Sequence, residues 1–223
     1  MPTSSTKQPV IGPHQIAKGK RPSASSALKR DIILRAARRV FETEGLEGAS
    51  LRAIAKEAGY TPAALYFHFD SKEAVYAELL GQSLATLNAD IAAAIHQIDT
   101  PVQRLKASAM AFFNYYRTNP GDLDLGFYLF RGGMKPKGLG RARDAELNRQ
   151  LQSSLQPITD AALAMGVSAA HASEITASVF AYATGLLLLA HTGRIRIFNA
   201  NAEQMMASFS DTLTTRIEGE IPC

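Results

Sequence analysis

A single cysteine, Cys223, stands at the last of 223 positions, and tryptophan is absent. One thiol excludes an internal disulfide and any cysteine-based metal site, and it suits a reducing compartment. Histidine is sparse as well. His96, His171 and His191 stand singly, with no carboxylate or cysteine at ligand spacing, so a helix-surface or core role outweighs metal ligation. The glycine-rich stretch GGMKPKGLG (132–140) lacks the Gly-Lys-Ser/Thr ending that would cradle a phosphate. No paired catalytic constellation emerges, so no cofactor and no chemistry of its own are expected. Long apolar runs are missing too. The most apolar stretch, VFAYATGLLLLA (179–190), is about 12 residues, too short to span a bilayer, and the first 27 residues lack the apolar run of a signal peptide. These absences together predict a cytoplasmic protein with no membrane partner.

What is present favours a folded chain. Hydrophobic residues make up 46% and charged residues 20%, in a length that suits one large or two modest domains. The net charge of +4 is unevenly placed. Residues 1–75 hold 12 Lys/Arg against 7 Asp/Glu, and the remainder holds 12 against 13. This basic first third suits either an anionic partner or a merely solvated face.

Helical spacing runs through nearly the whole chain, and no alternating strand pattern competes with it, so the fold class is all-α. Residues 1–27, rich in Ser, Pro, Gly and Lys, read as a disordered basic arm. Ile33, Ala36, Ala37, Val40 and Phe41 predict a first helix over 28–44, which Gly45 ends. Ser50 caps a short second helix with Leu51, Ile54, Ala55 and Ala58 as its stripe and Gly59 as its stop. Thr61-Pro62 opens a third, a hydroxyl cap followed by proline at the first helical position, extending to about Phe69. A fourth starts at 70–73 and reaches towards Ile98. Thr100-Pro101 opens a fifth, ended by Asn119-Pro120-Gly121, and a short aromatic helix is expected near 122–131. Pro157 should kink or break a helix over 141–165. Ser168 caps the apolar helix that ends near Thr192, and Asn201 with Gln204 resembles a capping box for the last, 202–218. Residues 28–75 and 76–223 are the two expected domains.

The second and third helices, with the break at Gly59-Tyr60, have the length of a helix-turn-helix. Leu65 and Phe69 lie four apart and can bury against Ile54 and Ala55. Tyr66, Phe67 and His68 cannot all share that face, so at least one ring looks outward. A tyrosine hydroxyl, an imidazole N–H and the Lys72 ammonium are donors of the kind that fix DNA phosphates, and the helix starts near 61 and 71 add backbone N–H groups. Spacing alone leaves two readings open: a DNA contact surface, or a small core rich in aromatics.

The stretch SLRAIAKEAGYTPAALYFHFDSKEAVY (50–76) resembles the DNA-binding signature of the TetR family of bacterial transcriptional regulators. There, a Ser/Thr-capped helix carrying Ile-Ala and Ala-Gly precedes a Leu-Tyr-x-His-Phe helix and a Ser/Asn-Lys-Glu start. The likeness covers residues 28–80; beyond them only length and the helical layout are similar. The resemblance implies that Arg52 makes a base or phosphate contact and that Thr61, Pro62, Ala63 and Ala64 point at base edges of an operator duplex. It places Tyr66, His68 and Lys72 at backbone-contacting positions and Phe67 at a second aromatic contact. Two departures stand out. Tyr60 replaces a small aliphatic residue and reads as a half-exposed turn residue, and Ala63 and Ala64 can offer only apolar contact, as with thymine methyls. Specificity would then lean on Arg52, Tyr66 and the shape of the DNA.

The same resemblance implies a palindromic operator, a homodimer formed by the last two helices, and a small-molecule effector that releases the DNA. The rings of FFNYYR (112–117) and GFYLF (126–130) read as bundle core, yet Phe113, Tyr116, Phe127, Tyr128 and Phe130, with Tyr182, are candidates for lining an apolar or aromatic ligand pocket. Val179, Ala183, Leu186, Leu187 and Ala190 form one apolar stripe of a helix that is apolar nearly all round and must be covered on every side. Two other classes of function remain as alternatives: a helical-bundle enzyme with an apolar active-site cavity, and a helical module binding RNA or an acidic protein.

Overall fold

The computed structural model describes residues 24–126 and 138–220, and among them every regular element is helical. In chain order these are α1 (Ala24–Gly48), α2 (Leu51–Ala58), α3 (Pro62–Tyr66), α4 (Lys72–Ile95), α5 (Pro101–Thr118), α6 (Pro120–Gly126), α7 (Arg141–Ala164), α8 (Ala169–His191), a 3-10 turn (Arg194–Phe198) and α9 (Ala202–Glu220). The predicted caps hold them. Ser50, Thr61, Ser71, Thr100 and Ser168 each accept a hydrogen bond from the backbone N–H three residues on, and Asn201 Oδ1 accepts from Gln204 N at 3.0 Å.

Several boundaries differ from expectation, each for a local reason. The first helix begins at 24 rather than 28, so residues 24–27 are helical and not part of a disordered arm; residues 1–23 lie outside the described residues. Ser, Ala and Leu at 24–28 tolerate helical geometry once the helix behind them is packed. Gly45 (φ 67°, ψ 177°) interrupts α1 as predicted, and one further turn follows to Gly48. The third helix stops at Tyr66, and Leu65 carbonyl bonds from His68 N and Phe69 N carry the chain round to α4. Helix α7 runs through Pro157 without a break. The aromatic helix expected near 122–131 is α6 up to Gly126, and its remainder lies outside the described residues.

One contiguous core joins both ends of the molecule. Helix α4 makes the connection. Its Val75 and Tyr76 are buried against the first three helices, and Leu80, Leu84, Leu87 and Ile91 carry the same stripe into the bundle of α5, α7, α8 and α9. The Phe41 and Tyr76 rings meet edge to face, centroids 4.9 Å apart, where α1 crosses α4. Helix α8 needs a correction. With its Ser, Thr, Gly and His included it is 23 residues long, with a mean hydropathy of 1.4 over an 18-residue window, so by length and composition alone it is long enough to cross a membrane. Its Ala172, Ile175, Val179, Ala183, Leu186 and Leu187 are buried within this bundle.

Candidate nucleic-acid interface and buried cavity

The turn between α2 and α3 is built around Gly59 (φ 73°, ψ 26°), whose left-handed backbone lets Tyr60 N donate to Ala55 O at 2.9 Å and Gly59 N donate to Lys56 O at 3.2 Å. That double bond is a Schellman closure, and it fixes the angle at which α3 leaves α2. Leu65 (0% exposed) and Phe69 (4%) then bury against the core that holds Ile54 and Ala55, as their spacing predicted. Arg30 lies over the Phe69 ring at 4.2 Å, donates to His68 O at 2.8 Å and pairs with Glu78.

Everything else on α3 is turned outward. Thr61, Pro62 and Ala63 are exposed and Ala64 is half-buried, so the first turn of the helix presents small apolar surface. Tyr66 is 60% exposed and Phe67 90%, so two rings leave the core, in keeping with the expectation of at least one. With the half-buried His68 they line a broad open groove between the 66–70 turn, α4 and α7, crossed by an Arg143–Asp70 ion pair at 3.0 Å. Tyr60 is half-buried and packs against the core, in keeping with a turn residue.

The basic residues sort differently from the charge count. Arg35, Arg38 and Arg39 are engaged with Asp31, Asp122 and Glu57. Lys72 donates to the carbonyls of Glu47 and Ala49, both at 3.1 Å, so it clamps the α1–α2 connection to the start of α4 and keeps one N–H to spare. Arg52 and Lys56 on α2 are exposed and have no ion-pair partner among the described residues. Residues 24–75 carry eight Lys/Arg against seven Asp/Glu, so the surplus of the first third comes from Lys7, Lys18, Lys20 and Arg21.

A partly open cavity of about 110 Å³ lies in the bundle. Its walls include Leu80 and Leu84 of α4, Phe112 and Tyr116 of α5, Leu123 and Gly126 of α6, Leu147 and Leu151 of α7, and Phe180 and Thr184 of α8. Tyr116 stands where the pocket reading put it. Phe113 does not: it is 0% exposed and fills the helix packing, because its neighbour Phe112 takes the inner face of α5. Tyr182 is likewise elsewhere, stacked on Phe209 of α9 with centroids 4.0 Å apart, along a surface groove. Phe127, Tyr128 and Phe130 lie outside the described residues. Phe180, which the sequence reading left out, meets Phe112 edge to face at 5.8 Å. The i, i+4 spacing of Phe180 and Thr184 was the signal that could have found it.

A polar chain links this cavity to the first helix. Asp122 of α6 pairs with Arg38 of α1 and accepts the Tyr115 hydroxyl at 2.5 Å, and Tyr115 in turn lies 3.2 Å from the Ser83 hydroxyl of α4. Tyr76 donates to the Leu125 carbonyl at 2.9 Å. Burial, then the bond to Asp122, drives the Tyr115 hydroxyl pKa far above its ordinary range; burial does the same to Tyr116, so both stay protonated. His191 Nε2 lies 3.0 Å from the Tyr116 carbonyl, tying the end of α8 to α5.

Residues 33–79 match the family described as bacterial regulatory proteins, tetR family. The HTH-type transcriptional repressor KstR2 of Mycolicibacterium smegmatis is 33% identical over 87 residues, 39% of this chain and 42% of that protein. The chain thus spans less than half the length of the curated relatives it matches. Over the whole chain the likeness is one of fold. A tetR-family regulatory protein from Rhodococcus RHA1 superposes with a TM-score of 0.62 at 20% identity, covering 85% of this chain and 96% of that one. The FadR regulator of Bacillus subtilis, solved with stearoyl-CoA, gives 0.62 at 14%, covering 86% and 99%. Residues 33–79 thus carry the helix-turn-helix of the tetR family of bacterial regulatory proteins, and the remainder of the chain is similar in fold to a member of that family.

Proposed function

We propose that the protein is a cytoplasmic, homodimeric transcriptional repressor that binds a palindromic operator and leaves it when a small apolar or aromatic molecule occupies the bundle cavity. It acts without chemistry of its own. One observation carries the DNA reading: a fully buried helix-turn-helix core presents the first turn of α3, Tyr66 and Phe67 to the outside, with Arg52 exposed beside them on α2. Thr61, Pro62 and Ala63 then meet base edges by apolar contact, and Tyr66, His68 and the spare Lys72 proton hold phosphates. Two such helices must reach successive major grooves, which requires a dimer.

The stripe of Val179, Ala183, Leu186 and Leu187 is spent inside the subunit's own bundle. The surface offered to a second subunit is therefore the other side of α8 and α9 with the 3-10 turn between them: Tyr182 on Phe209, Leu188 (52% exposed), and Ile197 (75%) and Phe198 (67%) of the turn. Helix α6 supplies the coupling. Leu123 and Gly126 face the cavity while Asp122 and Leu125 hold α1 and α4, so a ligand that displaces α6 shifts the base of the DNA-binding domain. Because such coupling is reciprocal, DNA must weaken the ligand by the same factor. Footprinting of the purified protein on DNA flanking its own gene tests the reading. A protected, two-fold symmetric site is expected; equal affinity for duplex DNA and single-stranded RNA would favour the RNA-binding module instead.

A further inference from the structure

Among the described residues the cavity walls are apolar except at three places: Tyr116, Thr184 and the exposed Asn148 at the rim. Tyr116 is 4% exposed, and its hydroxyl has no hydrogen-bond partner among the described residues, although a buried phenol ordinarily finds one. Its neighbour Tyr115, by contrast, is bonded to Asp122 and Ser83. Thr184 is unspent in a similar way. Ser173 and Thr176 of α8 and Thr192 at its C-terminal cap each donate to the carbonyl four residues back, the ordinary resting place for a helical hydroxyl, and Ser178, which does not, is exposed to solvent. Thr184 makes no such bond and has no partner among the described residues. Two hydroxyls are thus unspent on the wall of one cavity, and no Lys, Arg, Asp or Glu is among its described lining residues.

Size narrows the occupant further. The space of about 110 Å³ is comparable with the roughly 150 Å³ apolar cavity that admits benzene, and well below the several hundred Å³ of a pocket for a long acyl chain. A carboxylate or phosphate buried here would find no cation among the described lining residues to offset its lost hydration. We infer that the effector is an uncharged, ring-sized molecule carrying one hydroxyl or carbonyl, its ring against Phe112 and Phe180 and its oxygen bonded to Tyr116 and Thr184. This rests on the reading of the cavity as the effector site and names the class of molecule it takes.

The test is binding of phenol, cyclohexanol, toluene and benzoate to the full-length protein, by calorimetry and by thermal shift, in the presence and absence of its footprinted DNA. Phenol or cyclohexanol should bind about tenfold more tightly than toluene, the worth of one neutral hydrogen bond, and benzoate should not bind measurably. Tyr116→Phe should reduce the alcohol to the level of toluene while leaving toluene unchanged, and Thr184→Val should do so in part. Tighter binding of benzoate than of phenol, no preference of phenol over toluene, or an undiminished preference in both variants would each overturn the inference. Absence of DNA binding would remove the repressor reading alone, since the ligand preference is measured without DNA.

Discussion

The helix-turn-helix end and the bundle end share one contiguous core, yet they are written in different ways. From Ser50 to Ser71 nearly every structural decision is made by residues within five positions of each other: three hydroxyl caps, a proline at a first helical position, a Schellman glycine, and an i, i+4 pair that buries. In the bundle the decisions are taken by distant partners. Phe112 rather than Phe113 reaches the cavity because of where Phe180 sits on α8, 68 positions later, and Asp122 is held by Arg38, 84 positions earlier. Local grammar makes a rigid reading head, and long-range packing makes a space whose contents can change.

The largest effect should come from the bundle. Phe113→Ala removes a ring with 0% exposure and should cost about 3–5 kcal/mol in urea denaturation, with operator affinity of the folded fraction unchanged. A stable variant with altered ligand response would return Phe113 to the cavity wall. The next effect is alkaline. Tyr115 and Tyr116 have folded pKa values raised above the unfolded value of about 10, so the native state holds protons that the unfolded state releases. Their stabilisation is complete below about pH 10 and is lost as pH rises from there towards the folded values. Denaturation midpoints at pH 9 and 11 should fall accordingly, and Tyr116→Phe should flatten the slope.

How much of this was legible beforehand follows the same division. Caps, the turn at Gly59, the buried pair Leu65 and Phe69 and the outward rings were readable because helix periodicity and capping chemistry are local. The burial of Phe113, the position of Tyr182 on Phe209 and the inward turn of the α8 stripe were not, since a helix that is apolar all round does not say which side meets its own subunit. Charge misled for another reason. A count over 1–75 could not show that Arg30, Arg35, Arg38 and Arg39 are engaged within the chain.

Smaller changes sharpen the contrast. In the turn, Gly59→Ala meets open space, with nothing within 4 Å of the added Cβ, so its cost is backbone strain alone, about 1–2 kcal/mol for a left-handed residue. It should weaken DNA binding more than its loss of stability explains, because it re-aims α3. A purely global effect, with the same ligand and DNA affinities once folded, would mean the turn does not set the aim. In the polar chain, Asp122→Asn should loosen the coupling between ligand and DNA by roughly fivefold, at the low end of allosteric effects, leaving ligand affinity in the absence of DNA intact. Unchanged coupling would place the route elsewhere. Lys72→Ala is the mildest. It removes two bonds to backbone carbonyls and should cost about 1 kcal/mol of stability while lowering the slope of log affinity against log salt by about one. A change in sequence preference instead would refute a phosphate role.

We propose that a nearly neutral helix-turn-helix reads DNA by shape and apolar contact, with most of the basic surplus supplied by residues 1–23. The most direct measurement compares the full chain with a form lacking residues 1–23, titrated onto the footprinted site and onto random duplex across a salt series. The shortened protein should bind both DNAs more weakly, with a shallower salt dependence, and keep the same ratio of specific to random affinity. Loss of that ratio on removing the arm, with the fold intact by circular dichroism, would contradict it.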